Sequence, residues 1–128
     1  MKGKILVILT IISIQLFGQV NNYIEYYNLT NEGDRQEYLK NDSLAYILYL
    51  EAFEKVDYIH SDKLIKAAEL AIKQEDYKNA YNFSKQAMIL GTTNEFYKQK
   101  DFKKFRKTDL YKTFRAEFKS QMQLLVKQ

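Results

Sequence analysis

The chain has 128 residues, 46% of them apolar and 15% aromatic, with four glycines and no proline, a composition that predicts one small helical domain. It contains no cysteine, which excludes disulfides, iron–sulfur clusters, thiolate zinc sites and a thiol nucleophile. The formal net charge of +4 is unevenly distributed, because residues 20–91 carry a net −4 and residues 92–128 a net +6. The basic character therefore belongs to the C-terminal segment.

The first 19 residues have the pattern of an export signal. Two lysines precede a mainly apolar run, residues 5–17, and the small residue Gly18 follows. A signal core needs roughly 7 to 15 residues, whereas a membrane-spanning helix needs about 20. We therefore predict a signal peptide over residues 1–19, cleaved near Gly18 or Gln19, with a membrane anchor as the alternative. The remaining chain is expected to work in the bacterial periplasm or outside the cell.

The first helix after this signal is predicted over about Tyr23 to Leu39. Gly33 lies inside it and costs about 1 kcal/mol relative to alanine, so we expect a frayed or bent helix. The next helix starts at the capping pair Asp42-Ser43. Its predicted apolar face consists of Leu44, Ala45, Leu48, Tyr49, Ala52, Phe53 and Val56.

Two further helices are predicted between residues 62 and 90. The first covers 62–74, with Ser61 or Asp62 as its N-cap, and a polar turn follows. The second begins near Tyr77 and ends at Leu90, where Gly91 is suited to cap it. The tight turn between them makes the two helices antiparallel neighbours.

The C-terminal segment, residues 95–128, differs from the rest. Its first aromatic residues, Phe96, Tyr97, Phe102 and Phe105, lie on short segments. A final helix is predicted from Thr108-Asp109, with Leu110, Tyr111, Phe114, Phe118, Met122 and Leu125 along one face. We expect this segment to close the stack of helices, because a terminal unit must present one side to water.

An internal repeat of 35 residues relates the two helical pairs. Ala45, Tyr49 and Ala52 stand 35 residues before Ala80, Ser84 and Ala87. Small residues allow antiparallel helices to approach to the near end of the usual 8 to 10 Å range. We therefore expect Ala68 to face Ala80 and ordinary core packing to explain the small residues.

This spacing resembles the tetratricopeptide repeat family, whose unit is a helix–turn–helix of about 34 residues. The better copy, residues 61–94, matches the family at Ala67, Ala68, Tyr77, Ala80 and Ala87, and departs from it at Leu64, Ala71, Ser84 and Thr92. The other copy, residues 26–60, matches at Gly33, Ala45, Tyr49 and Ala52 and departs at Glu32. The chain is similar to the short exported proteins of this type in bacterial envelopes, in which a basic segment of the form Asp-Phe-x-x-Phe, here residues 101–105, follows two hairpins. The resemblance implies an all-α fold, an α-solenoid fragment of about two antiparallel hairpins with a C-terminal capping helix.

The resemblance also implies a binding surface on the first helices of the two hairpins. Its candidate residues are Asp34, Glu37, Tyr38, Asp62, Ile65, Lys66, Glu69 and Lys73, together with Thr30 and Ile72. We therefore predict a non-catalytic adaptor or scaffold with a protein or peptide partner.

The sequence offers few residues that could support catalysis or bind a metal ion. The single histidine, His60, has only Asp57 and Asp62 nearby in sequence, whereas a zinc site usually has three or four ligands including His or Cys. There is no second histidine, nucleophile elbow or glycine-rich phosphate loop. We predict no enzyme activity, no metal and no cofactor.

The basic segment from Lys98 to Lys119 supports a different hypothesis. It carries nine bases and three acids, interleaved with aromatic residues, a mixture that binds anionic lipid, polyanions or nucleic acid. Export makes nucleic acid an unexpected partner. Lysines that only solubilise an aromatic cap, and a purely structural or oligomerising role for the chain, remain the other interpretations.

Overall fold

A computed structural model describes residues 2–127, with side-chain environments from residue 15 onward. The described chain is helical throughout, without a strand, which confirms the predicted all-α architecture. Five α-helices are present: α1 (Lys2–Tyr38), α2 (Asp42–Phe53), α3 (Ser61–Lys73), α4 (Tyr77–Ile89) and α5 (Asp109–Val126). Between α4 and α5 lie three 3₁₀ turns, Phe96–Lys98, Lys100–Phe102 and Phe105–Lys107.

The helices pack as two successive hairpins, α1 with α2 and α3 with α4, and α5 packs on α4. Both hairpin turns have the same backbone geometry. Lys40 and Glu75, 35 residues apart, take positive φ angles of 66° and 62°. In each turn the backbone amide of the following residue donates a hydrogen bond to a carbonyl oxygen of the first helix. Asn41 donates to Gln36 at 2.8 Å, and Asp76 donates to Ala71 at 2.9 Å. The internal repeat therefore holds in the backbone as well as in the sequence.

α1 runs without a break through Gly33, so the expectation that the helix frays there is wrong. A Cβ placed on Gly33 would lie 2.7 Å from Cδ2 of Tyr49 and 3.5 Å from the carbonyl oxygen of Ala45. The glycine thus permits a close approach of α1 and α2, and the packing of the fully buried Tyr49 ring compensates for its low helix propensity.

The second hairpin follows the prediction closely. Ala68, Ala80 and Ala87 are fully buried in its interface. Asp76 caps α4 by accepting a hydrogen bond from the Asn79 amide at 3.1 Å, and Gly91 ends the helix with φ of 87°. Small residues therefore occupy buried positions of both helices of the second hairpin.

Three details of the helix faces and caps differ from the sequence prediction. The N-cap of α2 is Asn41 and that of α3 is His60, each one residue before the predicted positions. On α2 Leu44 is exposed, whereas Tyr46 is buried, and its hydroxyl donates to Asp76, the N-cap of α4, at 2.8 Å. On α5 Leu110 and Leu125 are exposed.

The C-terminal segment forms an aromatic cap. Its buried rings are Phe96, Tyr97, Phe102, Phe105, Tyr111, Phe114 and Phe118, most of them packed edge to face. The inward positions of α5 match those of α4 at an offset of 34 residues, so that Phe114 corresponds to Ala80. α5 packs on α4, and its Phe114 ring lies against Phe96 and Phe105 of the 3₁₀ turns.

Candidate functional site

The neighbouring edges of α1 and α3 form an open, charged depression, called here the α1–α3 groove. Its deepest part has a volume of about 410 Å³ and is lined by Asp34, Glu37, Tyr49, Asp62, Lys63 and Lys66. The groove therefore brings together the two helices on which the candidate binding residues were predicted.

Three side chains at one end of the groove, Asp34, Tyr49 and Lys63, are joined by hydrogen bonds. Asp34 accepts a hydrogen bond from the Tyr49 hydroxyl at 2.5 Å and from Lys63 Nζ at 2.8 Å. Burial alone would raise the pKa of Asp34, but these bonds outweigh it and hold that pKa below its ordinary value. Burial and the neighbouring Asp34 carboxylate raise the pKa of Tyr49, so the hydroxyl stays a donor. This group ties α1, α2 and α3 together.

Glu37 is the centre of a second set of ion pairs. It contacts Lys66 at 3.0 Å and Lys73 at 2.9 Å, and Lys73 also reaches Asp42 at 3.1 Å. Burial opposes the charge on Glu37, but the bonds from Lys73 and Lys66 lower its pKa below the ordinary value. For Lys66 and Lys73, burial is likewise outweighed and the pKa is raised. Several candidate residues therefore neutralise one another inside the protein.

Glu69 lies deeper than the other carboxylates, with 12% of its side chain exposed. It pairs with Lys66 at 3.1 Å, yet its pKa is raised, chiefly by burial and further by the carboxylates of Asp101 and Glu37. The attraction of Lys66 does not offset these effects. Glu69 is thus the candidate carboxylate whose charged form is disfavoured by its surroundings.

The remaining candidates divide into accessible and buried side chains. Tyr38 is 84% exposed, Asp62 is exposed without an ion pair to any described residue, and Ile65 is half-buried. Thr30 and Ile72 are fully buried, so the expectation that they are surface positions is wrong. Thr30 donates to the Tyr27 carbonyl at 3.2 Å, and Ile72 belongs to the core.

The sequence interpretation missed three residues of the groove. Tyr49 was assigned only to the core, although its hydroxyl reaches Asp34. Lys63 and Asp42 were not considered as site residues. Lys63 stands three residues before Lys66 on the same helix, and this spacing was the available signal.

The basic segment separates into an aromatic interior and a charged exterior. Lys104 pairs with Glu75 at 3.0 Å, and Arg106 donates to the carbonyls of Tyr97 and Gln99, each at 2.7 Å. Exposed bases without an ion pair to a described residue are Lys100, Lys103, Lys107, Arg115 and Lys119. Since the interleaved aromatic rings are buried in the cap, they are unavailable for stacking on bases or inserting into lipid.

His60 is exposed at the start of α3, with its ring edge to face with Tyr58 at a centroid distance of 5.2 Å. Within the described residues, no three His, Cys, Asp or Glu side chains converge as ligands for a metal ion. In the same range, no helix combines the length and the apolar character needed to cross a membrane.

Comparison with known proteins returned no significant match to a family model, a curated protein or a solved structure. The tetratricopeptide resemblance therefore rests on the residues and the repeated hairpin geometry described above.

Proposed function

We propose that this protein is an exported, non-catalytic adaptor of the tetratricopeptide-like type that binds a protein or peptide segment in the α1–α3 groove. The observation that carries this proposal is the arrangement of the groove itself. Its inner charges are fixed by ion pairs between α1 and α3, while Asp62 in its lining is exposed, as is Tyr38 next to Glu37 in the sequence, and Ile65 of α3 is half-buried. A rigid polar floor with accessible aromatic, acidic and aliphatic groups suits recognition of an extended or helical segment.

The charge of the groove indicates the chemistry of its occupant. Five carboxylates (Asp34, Glu37, Asp42, Asp62 and Glu69) and three ammonium groups (Lys63, Lys66 and Lys73) lie along it, a net charge of −2. We infer that the bound segment carries a basic side chain directed toward Glu69 or Asp62. An apolar side chain beside it would pack on Tyr38 or Ile65.

The packing of α1 supports export with removal of the signal. Side chains 15–25 are exposed, and Tyr26 is the first buried one among the α1 side chains that the structure describes. Glu25 reaches Lys55 at 2.9 Å, and a shallow depression beside Lys55 is lined by Gln19, Asn22 and Tyr23. Cleavage near Gly18 or Gln19 would leave the Glu25–Lys55 ion pair and the burial of Tyr26 intact.

The test is affinity capture from the native cell envelope with two variants of matched chemistry. The groove variant is Tyr38→Ala with Asp62→Asn, because neither residue is in an ion pair of the described chain. The control variant, Tyr58→Ala with Glu54→Gln, removes one exposed tyrosine and one exposed acid outside the groove. Lys66 and Lys73 are less suitable, since their replacement would leave Glu37 unpaired.

We expect the groove variant to lose the partner retained by the wild type, and the control variant to keep it. Both variants should unfold at the wild-type temperature, which shows that the fold is unchanged. Equal capture by all three proteins would refute the assignment of the groove.

A second candidate function is binding of an anionic surface or polyanion through Lys98 to Lys119. Its support is the set of five exposed, unpaired bases, without accessible aromatic rings. Binding of this kind is purely electrostatic and falls steeply with salt. Heparin or anionic-vesicle binding across a salt series tests it, and failure to bind at low salt would exclude it.

A further inference from the structure

The outer face of the first hairpin, on the side away from α3 and α4, consists of positions that are covered in the second hairpin. Leu48 corresponds to Phe83 at the 35-residue offset, and Phe83 packs edge to face on Phe53 of α2 at 5.5 Å. Leu44 corresponds to Asn79, whose side chain donates to the hydroxyl of Tyr46, also on α2, at 3.0 Å. In the repeat, these positions face the preceding unit.

No unit precedes the first hairpin in the described chain, so these leucines lie open. Leu44 is 44% exposed, and Leu48 and its α1 neighbour Leu29 are half-buried. A solenoid end normally carries a polar capping face, because each unit buries its apolar side against a neighbour. The outer face of the first hairpin is therefore an uncapped end.

Acidic residues surround this uncapped end. Glu25 and Glu32 are paired with Lys55 and Arg35 at 2.9 and 2.6 Å. Glu51 is exposed and has no ion pair with a described residue. The end thus presents aliphatic side chains and one carboxylate, Glu51, that forms no ion pair with a described residue.

The other end of the stack is the outer face of α5, on the side away from α4. On α4, Tyr81 and Lys85 contact Glu117 of α5 at 3.1 Å, so these positions face the following unit. At the 34-residue offset they correspond to Arg115 and Lys119. Both bases are exposed and lack an ion pair with a described residue. Farther along α5, Val126 is exposed on the same side, and Met122 is half-buried because part of its side chain packs against the core.

We propose that copies of this chain stack head to tail, with the α5 outer face of one copy on the first-hairpin outer face of the next. This interaction goes beyond the adaptor function, since the α1–α3 groove takes no part in it. Two observations select a second copy as the occupant. The first is that the contact between copies repeats the register in which the two hairpins already pack on each other. The second is that the basic Arg115 and Lys119 match the charge of the acidic Glu51, while Met122 and Val126 lie against Leu44 and Leu48.

The contact is heterologous, because different surfaces of the two copies meet, and such contacts produce open chains or rings. The buried apolar part is small and the charge pairing lies near solvent. We therefore expect reversible association that weakens as salt rises.

The experiment uses sedimentation velocity on the protein recovered after export, its mass recorded by mass spectrometry, from micromolar to millimolar concentration. A head variant, Leu44→Lys with Glu51→Lys, changes the first-hairpin face. A tail variant, Arg115→Ala with Lys119→Ala, changes the α5 face. The matched control, Lys100→Ala with Lys103→Ala, removes the same charge from the 3₁₀ segment.

We expect the wild type and the control to associate with rising concentration, and each of the other variants alone to associate about tenfold or more weakly. An equimolar mixture of head and tail variants retains one native interface and should stop at the dimer. A monomeric wild type at every concentration, or a mixture no more associated than its components, would overturn the proposal. The adaptor function is tested separately, by affinity capture of the partner with the groove variant.

Discussion

Replacing Gly33 with alanine tests whether the close approach of α1 and α2 is real. In an isolated helix this change is stabilising by about 1 kcal/mol, because glycine is the poorer helix former. Here the new Cβ would lie 2.7 and 2.9 Å from two ring carbons of Tyr49. The two effects therefore have opposite signs.

The surroundings of Tyr49 decide which effect is larger. The ring is fully buried, its hydroxyl is bonded to Asp34, and Phe53 packs edge to face against it at 5.9 Å. The ring cannot move away without loss of one of these contacts. Overpacking typically costs about 1 to 3 kcal/mol. Because the Tyr49 ring is held by its neighbours and cannot shift to make room, we expect a cost at the upper end of this range. We expect Gly33→Ala to lower the free energy of unfolding by about 1 to 2 kcal/mol after the propensity gain is subtracted.

The assay is urea unfolding followed by far-ultraviolet circular dichroism, with two comparisons. Asn31→Ala, at an exposed position of the same helix, should stabilise by a few tenths of a kcal/mol. In a Tyr49→Val background, which lacks the two ring carbons, Gly33→Ala should become neutral or stabilising. If Gly33→Ala stabilised the wild type as Asn31→Ala does, the packing of the first hairpin described here would be incorrect.

Three further predictions concern the turn, the cap and the groove. Lys40→Gly should stabilise by about 0.5 to 1 kcal/mol in the same urea assay, because φ is positive there, whereas Lys40→Ala should not stabilise. Phe114→Ala should destabilise by about 3 to 5 kcal/mol, since the ring packs against four other buried aromatic rings, while the exposed Leu124→Ala should have almost no effect on the melting temperature. Asp34 and Glu37 have folded pKa values below their ordinary ones, so their stabilisation is complete only above about pH 5, and it is lost progressively as pH falls through the ordinary pKa values toward the lowered folded ones. Asp34→Asn with Glu37→Gln should therefore flatten the acid limb of a stability–pH profile, and an unchanged acid limb would contradict the pKa directions.

Helical periodicity and turn chemistry were sufficient to predict α3, α4 and α5 from the sequence. The spacing of alanines defined the inward faces, and the asparagine, aspartate and glycine residues between helices marked the turns. The prediction failed where tertiary packing overrides local propensity. Gly33 appeared to be a defect in α1, because its benefit depends on Tyr49, which is 16 residues away and on another helix.

The candidate site was predicted less completely than the fold. A helical position identifies a face of a helix but does not show which charges meet across helices. Glu37 and Asp34 are bound to lysines of α3 that lie about thirty residues later, so their pairing is invisible to local patterns. Thr30 and Ile72 were assigned to the surface because their burial depends on neighbouring helices. The aromatic cap was foreseen only in outline, since 3₁₀ turns lack a strong period.

Recognition through the α1–α3 groove is tested most directly by site-specific photocrosslinking in the native cell. A photoreactive amino acid replaces Tyr38 in one strain and Tyr58 in a second strain. Both tyrosines are exposed; Tyr38 directly follows Glu37, which lines the groove, whereas Tyr58 lines a separate depression. We predict one discrete adduct from position 38, with the partner that the groove variant fails to capture, and no such adduct from position 58. An adduct with that partner from position 58 and none from position 38 would contradict recognition through the groove.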